Sequence, residues 1–337
     1  MKTREARFVK PLRPARSQAE RQPELTVIIP VHNEEDNVAA LCARLAGVID
    51  GLDMTREVIF IDDGSTDQSF PLLHDIAKTD PDIRILSFSR NFGHQAAISA
   101  GLDHASGRAV VIMDGDLQHP PEVLPALIEK WREGYDVVYT TRTYSSGANA
   151  FKRITSRLFY RLISRLAGFR MPDGAADFRL LDRKVVDVLK GLRERTRFMR
   201  GLSVWAGFRQ TGIGYVASER NGGQSKYSLR RMVLLALDGV TSFSVFPLRM
   251  AVYLGFLISF VCLLYLVYVL YVRFVSGTAI PGWASTIIAV LFIGSVQLIT
   301  VGILGEYIGR IYEELKGRPT YIVREKVGFE DREHDTH

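Results

Sequence analysis

The chain has 337 residues, 24% charged and 47% hydrophobic, with a formal net charge of +6 and a sequence pI near 9.3. It is long enough for one large domain or two ordinary ones, and its two cysteines, Cys42 and Cys262, exclude a disulfide scaffold and show no zinc-ligand spacing. The basic balance suits nucleic acid, an anionic membrane surface or phosphorylated substrates without choosing among them.

Residues 1–22 carry Lys2, Arg4, Arg7, Lys10, Arg13, Arg16 and Arg21 and no apolar run. They read as a disordered basic tail, not a signal peptide. Between residues 25 and 141, the apolar runs LTVIIP, EVIFIDD, IRILSFS, AVVIMDGD and YDVVYTT alternate with helical patterns. Such alternation predicts an α/β fold, a mostly parallel sheet with helices on both faces. Val38, Leu41, Leu45 and Val48 recur every three or four residues, the mark of an amphipathic helix starting near Asn33 or Glu34. Ser65 or Thr66 is the expected cap of the next helix. Polar clusters follow the runs, at 30–34, 62–63, 114–118 and Arg142. Open α/β sheets bind ligands beyond the carboxyl ends of their strands.

Residues 150–206 read as basic helices interrupted by the loop MPDGAADFR, and 211–219 as a further strand. Residues 228–246, apolar but carrying Arg230, Arg231 and Asp238, read as an interfacial helix. Two spans, 250–272 and 284–305, contain no Asp, Glu, Lys or Arg and reach the ~20 residues that cross a bilayer. The loop between them holds one basic residue, whereas Arg230, Arg231 and Arg249 precede the pair and Arg310, Lys316 and Arg318 follow it. The positive-inside bias places both flanks in the cytosol. The expected organisation is a tail (1–23), a cytosolic catalytic domain (24–227), an interfacial helix (228–247), two transmembrane helices (248–309) and a cytosolic C-terminal tail (310–337).

The stretch AVVIMDGDLQHPP sets Asp114, Asp116 and Gln118 at alternate positions, one face of an extended chain. Like charges that close repel unless a divalent cation lies between them, and hard cations such as Mg2+ or Mn2+ take such oxygen ligands together with substrate phosphates. A lone D-x-D is weak; its place at a strand end strengthens it. IDDGSTD (61–67) could accept hydrogen bonds from a ribose or base, or merely cap the following helix and turn. No dinucleotide fingerprint or P-loop is present.

PVHNEEDNV, IDDGSTD, SRNFGHQAAISAGLDHASG, MDGDLQHPPEV, ADFRLLDR, ERNGGQSKYS and LGEYIGRIYEE, in this order over about residues 25 to 322, resemble family 2 glycosyltransferases of GT-A (Rossmann-like) fold. More narrowly they resemble polyprenyl-phosphate glycosyltransferases, bacterial relatives of dolichyl-phosphate-mannose synthase. The resemblance implies an inverting transfer of a sugar from a nucleotide-diphosphate donor to a lipid phosphate, with Mg2+ or Mn2+ as cofactor. It implies that Asp114, Asp116 and Gln118 hold the cation, and that Pro30, His32, Glu34, Asp63, Asp114 and Gly115 border the nucleotide sugar. His32 departs from the tyrosine common at its position, which leaves the base open. Asp116, Asp177 and Arg179 are the implied catalytic residues, with Asp177 orienting the acceptor or Arg179 in preference to removing a proton. Arg142, Lys152, Arg153, Ser156, Arg220, Ser225 and Lys226 would grip the acceptor phosphate. The implied partners are a nucleotide sugar, by preference a UDP-hexose, polyprenyl (undecaprenyl) phosphate, the bilayer, and further copies of the chain in a homo-oligomer such as a tetramer; nucleic acid is not among them. GDP-mannose is the alternative donor. A processive polysaccharide synthase is disfavoured because no Q-x-x-R-W occurs, and a non-catalytic sugar-nucleotide-binding scaffold is the rival from another class.

Overall fold

The structure, a computed structural model, describes residues 23–143, 175–192, 194, 197–216, 245–275 and 282–329. The expected strands appear as β1 (Leu25–Val31), β2 (Arg56–Asp62), β3 (Ile83–Phe88), β4 (Ala109–Ile112), β5 (Val137–Thr143) and β7 (Gln210–Val216). The first four are the continuous apolar runs, and burial on both faces is what such runs require. Helices α1 (Glu35–Ile49), α2 (Ser69–Thr79), α3 (His94–His104) and α4 (Leu124–Arg132) connect them, and α5 (Arg183–Gly191) and α6 (Met199–Trp205) follow. Val38, Leu41, Cys42, Leu45 and Ile49 form the buried stripe of α1. Pro121 opens a short 3-10 turn that leads into α4, where its fixed φ and missing N–H cost nothing.

Two strands were not anticipated. β6 (Ala175–Asp182) occupies most of the expected MPDGAADFR loop and pairs antiparallel with β4 and β5. β8 (Val323–Val327) lies in the expected C-terminal tail and pairs antiparallel with β3. The sheet order is β7-β5-β6-β4-β1-β2-β3-β8. It is therefore mixed, parallel through its β4-β1-β2-β3 centre and antiparallel around β6 and β8. The chain leaves β1 towards β2 and β3 and then returns to β1's other side as β4. That reversal is the switch point at which α/β sheets open a binding crevice.

The start of the second helix also differs from expectation. Neither Ser65 nor Thr66 caps α2: Ser65 Oγ accepts the Asn33 amide at 3.1 Å instead. The first turns of α1 and α2 cap each other, Asp67 accepting the Glu35 amide at 3.2 Å and Glu35 accepting the Gln68 amide at 2.9 Å. Each carboxylate satisfies an N–H that its neighbour's helix leaves unpaired.

The described residues divide into an α/β unit, to which residues 319–329 return, and a helical unit. The helical unit holds α7 (Phe246–Phe274) and α8 (Trp283–Leu315). At 1.5 Å per residue they are about 43 and 50 Å long, more than the roughly 30 Å of a hydrocarbon core. Phe256 (72% exposed) and Leu298 (75%) typify their bare apolar surfaces. Residues 246–265 and 292–315 average hydropathies of 2.0 and 1.4. The protein is a multi-pass membrane protein with two spans.

Candidate active site

Strand register brings the polar clusters to one edge. The Asp63 amide donates to Val31 O and the Met113 amide to Ile28 O, so His32, Asp63 and Asp114 emerge together at the carboxyl ends of β1, β2 and β4. Because β6 runs antiparallel, with Arg179 opposite Ile112, its beginning reaches the same edge and delivers Asp177 there.

β4 ends at Ile112, and residues 115 and 116 form a turn. The even spacing of Asp114, Asp116 and Gln118 along an extended chain is therefore not what aligns them. Asp116 Oδ1 accepts the Gln118 amide at 3.1 Å and Oδ2 accepts Gln118 Nε2 at 2.8 Å, a side-chain turn characteristic of aspartate. Leu117 takes a left-handed φ of 61°, uncommon for a residue with a Cβ. A Cβ on Gly115 would come to 3.0 Å from Pro30 O, so the turn packs closely against β1. Pro30 thus borders the turn through its backbone.

Two histidines to which the sequence assigns no role flank Asp114. Its amide donates to His119 Nδ1 at 2.9 Å, so that nitrogen is the acceptor and the ring proton sits on Nε2. The 3.5 Å approach of Asp114 Oδ2 to the same nitrogen is then proximity and not an ion pair. His119 is buried, stacked on Phe178 at 5.1 Å and edge-on to Tyr215 at 6.0 Å. His94, at the start of α3 and 41% exposed, places Nε2 3.4 Å from Asp114 Oδ1 and 3.9 Å from Asp177 Oδ2. Oδ1 of Asp114 is buried and accepts no hydrogen bond from the described residues. Burial pushes its carboxyl above the usual range. An orphaned carboxylate oxygen beside a second carboxylate fits a divalent cation. Among the described residues no cluster of three or more His, Cys, Asp or Glu could hold a metal; two carboxylates and an amide would be a sparse set, of the kind that suits Mg2+ or Mn2+ shared with phosphates.

Asp63 spends both oxygens on the backbone: Oδ1 accepts the Phe92 amide at 2.7 Å and Oδ2 the Gly93 amide at 2.9 Å. Burial raises its pKa, and those two N–H bonds oppose the rise. It braces the loop before α3, and its own carbonyl meets His32 Nδ1 at 2.9 Å. Asp62 is structural, accepting from the Ser65 amide and Ser87 Oγ. Gly64 (φ 63°) has no substitute, because a Cβ would overlap the backbone of Arg90 and Asn91. Glu34 Oε2 accepts from Asn37 at 2.5 Å while its amide donates to Ser69 Oγ at 2.8 Å.

Asp177 is buried on β6, two residues before Arg179. Its carboxylate is paired with Arg200 of α6, Nε to Oδ1 at 2.7 Å and Nη2 to Oδ2 at 2.6 Å. Burial would raise the Asp177 pKa, but the charge and hydrogen bonds of Arg200, with Arg179 and His94 behind, hold it well below the usual carboxylate range. Arg179 is 2% exposed and donates to Ser203 Oγ, Met199 O and Ala176 O. It fastens α6 to β6. Nothing in the local pattern of FMRG distinguishes Arg200 from the many other arginines, so only the fold reveals it. Arg142 pairs through its backbone with Tyr215 in β7. Lys152, Arg153, Ser156, Arg220, Ser225 and Lys226, with the expected basic tail and nearly all of the interfacial helix, lie outside the described residues.

A mixed α/β sheet whose β1/β4 switch point ends in an acidic D-G-D turn is the GT-A arrangement of a sugar transferase. Residues 26–189 match glycosyl transferase family 2, and residues 246–311 match the GtrB C-terminal hairpin. The chain is 45% identical to the uncharacterized glycosyltransferase YkcC of Bacillus subtilis (strain 168), across 92% of this chain and 96% of that one. It is 41% identical to the bactoprenol glucosyl transferase of Shigella phage SfII, across 89% and 97%. The chain belongs to the family 2 glycosyltransferases. Among solved structures, glucosyl-3-phosphoglycerate synthase from Mycobacterium tuberculosis, in complex with Mn2+, UDP and its product, is similar at a TM-score of 0.42 and 21% identity, over 65% of this chain and 78% of that one.

Proposed function

We propose that the protein transfers a hexose, from UDP-hexose, to polyprenyl phosphate at the cytosolic face of the membrane, inverting the anomeric centre. The supporting observation is one chain that joins the acidic turn at 114–116 to a two-span hairpin, with high identity along nearly its whole length to a bactoprenol glucosyl transferase. A polyprenyl chain stays in the bilayer and offers its phosphate at the surface, so an enzyme that uses it gains from a membrane anchor.

In the reaction a phosphate oxygen of the lipid forms the new bond to the anomeric carbon while the sugar-diphosphate bond breaks and its electron pair leaves with the nucleoside diphosphate. The acceptor is already an anion, so it needs positioning more than deprotonation. Mg2+ or Mn2+, held by Asp114 and Asp116 with Gln118, would supply Lewis-acid stabilisation of the diphosphate. Gln118 orients Asp116, His119 orients Asp114, and the loop braced by Asp63 shapes the nucleotide side with Pro30, His32, Glu34 and Gly115. Arg142, Lys152, Arg153, Ser156, Arg220, Ser225 and Lys226 are the proposed grip on the acceptor phosphate.

The test incubates purified protein with Mg2+ or Mn2+, polyprenyl phosphate and a panel of labelled nucleotide sugars, and follows label into the organic phase. Transfer from UDP-glucose or another UDP-hexose is expected. Transfer from GDP-mannose alone would replace the donor assignment, and nucleotide binding with no transfer from any donor would make the protein a scaffold.

A further inference from the structure

Asp177 and Arg200 form a bidentate pair in which Asp177 is buried (7% exposed) and the Arg200 side chain is 31% exposed. The helix that brings Arg200 to this point is itself latched from two elements. Gln95 of α3 accepts the Met199 amide at 3.1 Å. Arg179 of β6 donates Nη1 to Met199 O at 3.5 Å and to Ser203 Oγ at 2.5 Å. One arginine therefore fixes the helix, and the other fixes the carboxylate. His94 connects the pair to the acidic turn, since its Nε2 lies within 4 Å of both Asp177 Oδ2 and Asp114 Oδ1.

We propose that Arg200 is a positioning residue for sugar transfer: it locks Asp177 as an immobile anion beside His94 and Asp114, so that Asp177 orients the cleft and does not accept a proton. The inference rests on the transferase reading above. A planar guanidinium that engages both carboxylate oxygens sets direction as well as charge, which a lysine cannot do. Protonating Asp177 would remove its charge and take one of its two oxygens out of the guanidinium fork, and an anionic acceptor makes no demand for that proton transfer.

The experiment compares wild type with Arg200→Lys, Arg200→Ala, Asp177→Asn and the Arg200→Ala/Asp177→Asn double variant, measuring kcat, donor KM and thermal midpoint. Arg200→Ala should lower kcat by about 100-fold, the scale of a small misplacement at a reacting centre, with donor KM changed by less than about threefold. Millimolar guanidinium should restore about tenfold of that loss in Arg200→Ala and none in Asp177→Asn, a response that a purely structural arginine would not give. The double variant should be no slower than Asp177→Asn, because the two residues act through one another. Multiplicative losses in the double variant, or a folded Arg200→Ala that guanidinium does not rescue, would overturn the proposal. Should Arg200→Ala not fold, Arg200→Lys carries the test: kcat down about tenfold or more at an unshifted midpoint supports the proposal, and wild-type kcat refutes it. A wild type inactive with every donor sinks the transferase reading, whereas an active wild type with an unaffected Arg200→Ala sinks this inference alone.

Discussion

Asp116 and Asp177 are two carboxylates at one sheet edge with opposite surroundings. Asp116 accepts from the backbone and side-chain amides of Gln118 within its own turn and stands outside the hydrophobic core, so removing it takes a charge from the site and leaves the core intact. Asp116→Ala is expected to abolish transfer with a melting temperature within about 2 °C of wild type, since surface changes rarely exceed about 0.5 kcal/mol; wild-type turnover in that variant would refute the cation assignment. Asp177 is instead part of the fold. Loss of one member of a buried pair costs about 3–5 kcal/mol, and the partial exposure of Arg200 puts Asp177→Asn at the low end, about 3 kcal/mol. The pH dependence follows from the depressed pKa of Asp177. A carboxylate whose folded value lies below its unfolded value of about 3.9 contributes fully above that value and loses its contribution as pH falls through the folded one. The difference in urea midpoint between wild type and Asp177→Asn should be flat above about pH 5 and should close in more acidic solution; a difference that closes near neutral pH would contradict the pairing.

At the scale of elements, β8 changes the status of β3. Without it, β3 would be an edge strand of nearly continuous burial, IRILSF, presenting unpaired amides and carbonyls. With it, the edge passes to VREKV, whose central residues are exposed and charged, a sequence that blunts an edge. Tyr321 stacks on Phe88 at 5.2 Å and donates to Asp103 at 3.0 Å, and Arg324 donates to Ser87 at 2.9 Å. Truncation after Arg318 is therefore expected to lower the melting temperature by more than about 5 °C and to shift the protein towards aggregates in size exclusion. An unchanged, monodisperse profile would show that β8 is dispensable. The strand escapes a sequence reading because VREKV has no apolar alternation and becomes a strand only where a partner edge waits for it. β6 escapes for a related reason: ADFRLLD is buried by β4 and β5 on either side, and the preceding Pro and Gly signal a loop.

For the molecule as a membrane protein, two spans put both flanks of the hairpin on one side of the bilayer, and the charge bias of those flanks is the argument for which side. From the basic flanks of the hairpin and the single basic residue between its helices, we propose a cytoplasmic α/β unit and termini, with residues 276–281 on the opposite side. A Ser276→Cys variant should be labelled by a membrane-impermeant maleimide in intact cells, because Cys42 is buried and Cys262 lies within α7. Labelling only after lysis would reverse the topology.

Features whose signal is local were legible in the amino-acid order. Continuous apolar runs marked the strands β1 to β5, charge-free spans of bilayer length marked α7 and α8, and the ordered motifs pointed to a sugar transferase with Asp114 and Asp116 at its centre. Only the tertiary structure decided the partnerships between distant residues. Arg200 stands 23 positions from Asp177 and His119 meets Asp114 through a turn whose form depends on Leu117 and Gly115, so neither contact leaves a trace in spacing. Periodicity reports which face of an element is buried. Which charge meets which is set by strand order and register, and those emerge only when the whole sheet has assembled.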